Sequence, residues 1–207
     1  MSTRIGIIDY GIGNLTSVRN AFAAIGCEVR ILDEPSGLRE VSHIVLPGVG
    51  AFGDGMRNLR ERDWVPVMEE EVRQKRKPFL GICLGMQLLA TRGTEHGLQD
   101  GLGWIAGEII RLSDQQGAIR IPHIGWNDAL PARRNACYRE GFAKPGVFYF
   151  VHSYHFVPED KSVVDGWCEY GDKFVASVSQ GNIWAVQFHP EKSQKAGLQV
   201  LRNFVST

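Results

Sequence analysis

The sequence lacks net charge, long hydrophobic runs and paired cysteines, and each absence excludes a class of protein. Its 23 Lys and Arg residues balance 23 Asp and Glu residues, so no basic field indicates nucleic acid or an anionic membrane. No run approaches the roughly 18 apolar residues of a membrane span, and the N-terminus has no signal-peptide h-region. We therefore expect a cytoplasmic protein with no membrane or nucleic-acid partner.

Cysteine is scarce in this chain and its spacing is irregular. Four cysteines lie far apart without a CxxC pair, at Cys27, Cys83, Cys137 and Cys168. In a reducing compartment this spacing favours neither a disulfide nor a structural zinc site. His152 and His155 are three residues apart and so point to opposite faces of a strand, which argues against a metal pair. We expect no metal.

The stretch GIGNLT, residues 11–16, begins like a dinucleotide-binding loop. The fingerprint G-x-G-x-x-G requires glycine at its last position, where this chain has Thr16. We therefore expect no nucleotide there and no cofactor.

The first half of the chain alternates between strand and helix patterns. Four short apolar runs predict strands, at 4–9, 27–32, 43–48 and 78–83. Three stretches predict helices, at 15–26, 54–76 and 84–91. We expect the second helix to break near Pro66. This alternation is typical of a parallel sheet covered on both faces.

The second half contains strand-like runs separated by Gly, Asn or Asp turns. These runs are 103–112, 147–156, 166–171, 174–180 and 183–189. We expect them to extend or flank the sheet as antiparallel strands, before an amphipathic helix at 195–206. Because the chain has 207 residues and no linker-like segment, the prediction is one α/β domain, 1–207, with a mixed, largely parallel central sheet flanked by helices.

The stretch PFLGICLGMQLLA, residues 78–90, places Cys83 where a predicted strand meets a predicted helix. Gly81 and Gly85 lie two positions to each side and supply space where the backbones crowd. This is the cysteine counterpart of the nucleophile elbow G-x-S-x-G, and a helix N-terminus favours the thiolate that attacks carbonyl carbon. The alternative is that Cys83 is a small buried hydrophobic residue.

A thiolate nucleophile needs a base and a group that orients the base. The apolar run before AVQFHPEKS ends at His189, and Glu191 follows two positions later, on the same side of an extended chain. Cys83 and His189 are both expected at the carboxyl ends of strands, where reactive groups of α/β sheets gather. The pattern therefore favours a Cys-His-Glu triad.

The motifs GICLGMQ and VQFHPEKS resemble those of the class I, triad-type glutamine amidotransferases. Together with DYGIGN, PGVGAFGDGM, PHIGWN and FYFVHSY, in this order and over nearly the whole chain, they are similar to the glutaminase subunits of imidazole glycerol phosphate synthase. The resemblance implies a flavodoxin-like fold of that class. It also implies glutamine hydrolysis by Cys83, with His189 moving protons and Glu191 holding His189.

The resemblance further assigns residues around the triad. It implies that the PGVG loop, at Val49 and Gly50, and the backbone amide of Leu84 stabilise the oxyanion. It implies a glutamine-binding set made of Gln87, Glu95, His152, Ser153 and Tyr154.

Ammonia released into bulk water would be lost as ammonium, so a partner must receive it in a dry passage. The resemblance implies a heterodimer with a HisF-type (βα)8-barrel cyclase that makes imidazole glycerol phosphate and AICAR in histidine biosynthesis. It places five residues at that interface: Gly11, Asn14, Trp126, Tyr149 and Lys192.

Three alternatives remain open at the level of sequence. A close paralogue would feed ammonia to a HisF-like partner that makes an amidino-sugar for surface polysaccharide. A stand-alone γ-glutamyl hydrolase would use the same scaffold and need no partner. A non-catalytic binding protein would keep the fold alone, which the complete set of Cys83, His189 and Glu191 disfavours.

Overall fold

The computed structural model describes residues 3–113, 117, 119–133 and 136–207. Five strands form the parallel part of the large sheet. Four come from the first part of the chain, β1 (Arg4–Ile8), β2 (Glu28–Leu32), β3 (His43–Gly48) and β4 (Phe79–Cys83), and one comes from near the C-terminus, β13 (Ile183–Val186). Their order is β2-β1-β3-β4-β13, with every neighbouring pair parallel. This is the doubly wound order of flavodoxin-like folds.

The second half extends this sheet with antiparallel strands, as the sequence predicts. The extending strands are β12 (Asp172–Gln180), β11 (Val164–Tyr170), β8 (His123–Pro131) and β9 (Gly146–His152), in that order outward from β13. A smaller sheet contains β10 (Tyr154–Pro158), β7 (Gly107–Arg111), β5 (Arg92–Gly93) and β6 (Gln99–Asp100). The expected α/β class, with a mixed sheet and an antiparallel extension, is confirmed.

Helices cover both faces of the large sheet. They are α1 (Leu15–Ala24), α2 (Phe52–Glu61), α3 (Trp64–Met68), α4 (Leu84–Gln87) and α5 (Gln194–Val205). α1 and α5 pack together on one face through Phe22 and Phe204, whose ring centroids are 6.4 Å apart. The opposite face holds α2 and α3, with Phe52 and Trp64 in its core. No helix in the described ranges is long and apolar enough to cross a membrane.

The sequence patterns missed β8 entirely. The strands predicted over 103–112 and 183–189 are shorter in the structure, since β7 begins at Gly107 and β13 ends at Val186.

Three further predicted elements differ more in kind. The helix expected over 54–76 begins at Phe52 and breaks at Asp63, whose φ is 56°; Pro66 lies in the first turn of α3, where proline is tolerated. The same stretch ends in a π-helical turn, Glu69–Gln74.

The helix predicted over 84–91 is one turn long. α4 ends at Gln87 because the carbonyl groups of Leu88, Leu89 and Ala90 accept hydrogen bonds from the backbone of residues 102–105. The strand predicted over 147–156 is two strands, since Ser153 lies between β9 and β10 and the chain changes sheets there. That change of sheet brings Ser153 and its neighbours beside β4.

Candidate active site

Cys83 lies at a sharp turn from β4 into α4. Its φ and ψ are 54° and −107°, a conformation that side-chain-bearing residues rarely adopt and that packing must enforce. A Cβ on Gly81 would lie 2.6 Å from the Gly85 carbonyl oxygen, and a Cβ on Gly85 would collide with the Leu46 carbonyl oxygen. The corner and the close backbone approach expected from the two glycines are therefore present.

The Cys83 sulfur has polar neighbours, although the residue is only 6% exposed. The sulfur lies 3.9 Å from the carbonyl oxygen of Val151, to which the thiol can donate. It lies 3.7 Å from Nε2 of Gln187, which donates to it. With a helix of one turn behind it, a thiolate here depends more on such individual donors than on a helix dipole.

His189 and Glu191 form a buried pair after β13. Nδ1 of His189 lies 2.7 Å from Oε1 of Glu191, and their side chains are 3% and 2% exposed. The sequence predicts an extended chain here, but Pro190–Lys192 is a 3-10 turn. Ser193 fastens this turn, because its hydroxyl donates to the His189 carbonyl oxygen at 2.6 Å.

The protonation of His189 follows from its neighbours. Burial opposes the charged imidazolium, but the interactions with Cys83 and Glu191 outweigh burial and raise the pKa of His189 to about 10. Nε2 of His189 is buried, and no atom of the described residues is placed to form a hydrogen bond of ordinary geometry with it. The ring is thus oriented at Nδ1 and still has Nε2 to exchange a proton.

The PGVG loop lies beside the cysteine because Gly48 of β3 pairs with Cys83 of β4. Val49 is 40% exposed and Gly50 has a φ of 99°, a left-handed conformation that suits glycine. Beneath the loop, the Tyr10 hydroxyl is buried against Gly48 and has no hydrogen-bond partner in the described structure. Burial, and then the charge of Cys83, raise the pKa of Tyr10 far above its usual range.

One cavity of about 520 Å³ opens onto the sulfur, a volume typical of small-molecule sites. All the residues expected to stabilise the oxyanion or to bind glutamine line it: Val49, Gly50, Leu84, Gln87, Glu95, His152, Ser153 and Tyr154. Glu95 also accepts a hydrogen bond from the backbone N–H of Phe52, at 2.8 Å, so its carboxylate already caps the start of α2.

His152 is neutral and has a defined tautomer. Nδ1 lies 2.8 Å from the Tyr154 carbonyl oxygen and must donate to it, so Nε2 accepts from Nδ1 of His123 at 3.3 Å. Burial lowers the pKa of His152 to about 3 and that of His123 to about 4. Both ring nitrogens of His152 are therefore occupied, which fixes the wall of the cavity.

Three of the residues expected at a partner interface form one surface cluster. The rings of Trp126 and Tyr149 are 5.8 Å apart, and Nζ of Lys192 lies 5.5 Å from the centre of the Tyr149 ring. Gly11 and Asn14 lie on the exposed loop that follows β1. There the Asn14 side chain caps α1 by accepting from the Ser17 N–H.

The sequence patterns did not single out several residues around the sulfur and the cavity, Ala51 of the cavity wall among them. Gln187 and Val151 contact the sulfur, Tyr10 lies beneath the loop, and Pro122 lines the cavity. Gln187 has the clearest signal in the sequence, because it is a polar amide within the otherwise apolar run that ends at the histidine of the predicted triad. Within the described ranges, no group of three or more His, Cys, Asp or Glu could hold a metal ion.

The comparisons with known proteins agree with this geometry. The model of the family "Glutamine amidotransferase class-I" matches residues 6–207. The imidazole glycerol phosphate synthase subunit HisH of Geobacter sulfurreducens is 46% identical over 206 residues, which cover 98% of each chain. Its counterpart in Aquifex aeolicus is 49% identical over 202 residues, covering 97% of this chain and 95% of the relative.

Solved structures with lower identity share the fold. PurLQS from Thermotoga maritima superposes with a TM-score of 0.77 at 19% identity, over 100% of this chain and 99% of the other. A structure titled glutamine amidotransferase superposes with a TM-score of 0.76 at 20% identity, over 98% of this chain and 97% of the other. The chain belongs to the class I glutamine amidotransferase family. Within that family it groups with the HisH subunits of imidazole glycerol phosphate synthase.

Proposed function

We propose that this chain is the glutaminase subunit of an imidazole glycerol phosphate synthase, acting in the cytoplasm on the histidine pathway. The observation that supports it best is the strained Cys83 elbow opening into the cavity next to the buried His189–Glu191 pair. This arrangement has a nucleophile, a base and an orienting carboxylate, which is the requirement for covalent amide hydrolysis.

In the first half of the reaction the Cys83 sulfur attacks the side-chain amide carbon of glutamine. A carbon–sulfur bond forms, and the oxyanion is stabilised by backbone N–H groups of the PGVG loop and of Leu84, which line the cavity. His189, whose raised pKa keeps it protonated at neutral pH, holds the proton that Cys83 has lost and delivers it to the leaving nitrogen as the carbon–nitrogen bond breaks. The products are ammonia and a glutamyl thioester.

In the second half water attacks the thioester carbon. His189 accepts a proton from the water and returns it to the sulfur as the carbon–sulfur bond breaks, releasing glutamate. Glu191 keeps Nδ1 of His189 protonated throughout, so that Nε2 is the atom that exchanges protons. Gln87, Glu95, His152, Ser153 and Tyr154 hold the glutamine in the cavity.

Ammonia passes to a HisF-type cyclase docked on the surface that carries Trp126, Tyr149 and Lys192, with Gly11 and Asn14 at its margin. Lys192 supports this placement, because it lines the cavity while its ammonium group lies over the Tyr149 ring of the surface cluster. Exposed Ile124 and Val147 extend the cluster with apolar area. The chain acts as one domain, 1–207, and forms a heterodimer.

The test is glutamate release from glutamine by this chain alone, and then with a HisF-type cyclase and the cyclase's substrate. We expect slow release by the chain alone and a large increase in the liganded complex. Cys83→Ala should lower release by at least about a thousandfold while the complex still uses supplied ammonia. Full release by Cys83→Ala would contradict the proposed nucleophile.

The same assay separates the alternatives. Rapid glutamate release without any partner would indicate a stand-alone hydrolase. Silence with the histidine-pathway cyclase, together with activity alongside a HisF-like partner of a surface-sugar cluster, would indicate the paralogue. A chain that never releases glutamate would be a binding protein that keeps only the fold.

A further inference from the structure

The side chain of Gln187 connects the cysteine to the glutamine pocket inside the protein. Gln187 is completely buried and lies two residues before His189. Its Oε1 accepts from Nε2 of Gln87 at 3.0 Å, and its Nε2 lies 3.7 Å from the Cys83 sulfur. Its backbone N–H donates to the Ala176 carbonyl oxygen of β12 at 2.8 Å, which fixes the position of the residue.

The orientation of both amides follows from one backbone carbonyl. The Tyr154 carbonyl oxygen can only accept, so the atom of Gln87 that lies 3.0 Å from it must be Nε2. The same nitrogen lies 3.0 Å from the Gln187 side chain, which must present its oxygen there. Gln187 is therefore left with its N–H group directed at the sulfur.

Two titratable groups also interact with the sulfur: Tyr10, whose pKa is raised by burial and then by the charge of Cys83, and His189, whose pKa Cys83 raises against the effect of burial. The two hydrogen-bonding neighbours that do not titrate, Val151 and Gln187, suit different protonation states of the thiol. Val151 offers a carbonyl oxygen at 3.9 Å, which only a protonated thiol can use. Gln187 offers a donor, and a hydrogen bond to a charged acceptor is stronger than one to a neutral acceptor. Loss of the Cys83 proton thus removes one interaction and strengthens the other.

We propose that Gln187 is a further catalytic residue, whose side-chain N–H stabilises the Cys83 thiolate and holds the sulfur in its attacking position. The assignment rests on the proposed function for its catalytic meaning, but the hydrogen bond itself can be tested without glutamine. Gln87 and the Tyr154 carbonyl group are positioning groups for this donor.

The experiment measures the rate at which iodoacetamide alkylates Cys83 as a function of pH, in the full chain with Cys27→Ser. Cys27 is replaced because Cys137 and Cys168 are buried, whereas Cys27 is partly accessible. Gln187→Met removes the donor and retains an apolar chain of similar length. Gln187→Glu retains the oxygen that accepts from Gln87 and places a second acid beside the sulfur. Gln180→Met, at the exposed end of β12, is the matched control.

We expect the midpoint of the alkylation profile to rise by about one pH unit in Gln187→Met, and at least as far in Gln187→Glu. Gln180→Met should retain the midpoint of the parent chain. In the glutaminase complex, kcat of Gln187→Glu should fall about tenfold while KM for glutamine changes by less than about threefold.

Unchanged midpoints in both Gln187 variants, with thermal unfolding like that of the parent, would overturn the proposal. If Gln187→Met fails to fold, the nearly isosteric Gln187→Glu alone decides it. Failure of the proposed function would have a different signature: the parent chain would release glutamate rapidly without a cyclase, or would release none with the histidine-pathway cyclase, whatever the alkylation profile of its variants.

Discussion

Two histidines, His152 of the cavity wall and its neighbour His123, are neutral because they are buried. His152 lines the cavity, and its Nε2 accepts a hydrogen bond from Nδ1 of His123. The His123 ring stacks on the Tyr170 ring, with 3.9 Å between the centroids. Their pKa values are lowered to about 3 and about 4, whereas that of His189 is raised to about 10. One small region therefore contains two neutral imidazoles that build the cavity wall and one imidazole, His189, that is proposed to exchange protons.

These shifts predict a loss of stability in acid. The unfolded chain protonates each histidine near the ordinary pKa of about 6.5, but the folded chain resists protonation of His152 and His123 until much lower pH. As pH falls below about 6.5, the unfolded state binds more protons, and the free energy of unfolding drops by up to about 1.4 kcal/mol per pH unit for each histidine. Urea unfolding between pH 7 and pH 4 measures this slope.

Substitution of single histidines tests which side chains cause this dependence of the free energy of unfolding on pH. His152→Gln should reduce the slope by one histidine's share, whereas His96→Gln, on the surface, should leave the slope unchanged. An equal slope in both variants would contradict the assignment. His189 acts at the other end of the range, because its raised pKa contributes stability that is complete below about pH 6.5 and is lost as pH rises through about 10.

At the scale of elements, close backbone packing sets the shape of the site. Gly85 lets α4 contact the Leu46 carbonyl group of β3, and Gly197 lets α5 contact the Pro190 carbonyl group of the turn that carries Glu191. A side chain at Gly85 would displace α4, which directly follows the cysteine, and one at Gly197 would displace the turn that carries Glu191 of the proposed triad. The glycines thus connect the core packing directly to the distances among the reactive groups.

We expect Gly85→Ala to lower the free energy of unfolding by about 1–3 kcal/mol or more, because its Cβ would meet backbone that cannot turn aside. Gly53→Ala, within α2, is the control, since its Cβ would lie 3.4 Å from the flexible side chain of Gln99. It should raise the free energy of unfolding by up to about 1 kcal/mol. Denaturant unfolding of both variants measures these changes. If Gly85→Ala were as stable as the parent, the backbone at Gly85 would not be crowded.

At the scale of the whole molecule, an exposed apolar patch lies next to Tyr149. The patch consists of Ile124, Trp126 and Val147, which are 60%, 49% and 48% exposed on β8 and β9. Tyr149 connects the patch to the proposed triad, since its ring packs against Trp126 and its carbonyl oxygen accepts from the backbone N–H of His189 at 2.9 Å. A partner docked here would contact β9, the strand whose Tyr149 carbonyl group holds the proposed catalytic histidine.

Trp126→Ala should weaken binding to a HisF-type cyclase at least about tenfold, because large aromatic side chains dominate interface energies. Leu98→Ala is the matched control: Leu98 is also an exposed apolar residue, 65% exposed, but it lies outside the patch. Titration calorimetry with the cyclase compares the two. Equal affinities for Trp126→Ala and the parent would place the cyclase on another surface.

Much of this architecture was predictable from local patterns. The fully apolar runs of β3 and β4 and the glycines around Cys83 predicted a buried parallel sheet with a crowded corner. The end of α4 at Gln87 and the break at Ser153 were not predictable, because residues far along the chain cause both. The pairing of His189 with Glu191 was expected from their spacing, although a 3-10 turn rather than an extended chain produces it.

The sequence by itself determined the alternation of strands and helices, the strained corner at Cys83 and the chemical types available for a triad. Those features depend on neighbours within a few residues, through periodicity and steric demand. Only the tertiary structure decided that β13 pairs with β4, which brings Gln187 to the sulfur across 104 positions of sequence. Strand pairing of this kind depends on the packing of both sheet faces, and no local pattern encodes which distant strand fills the position.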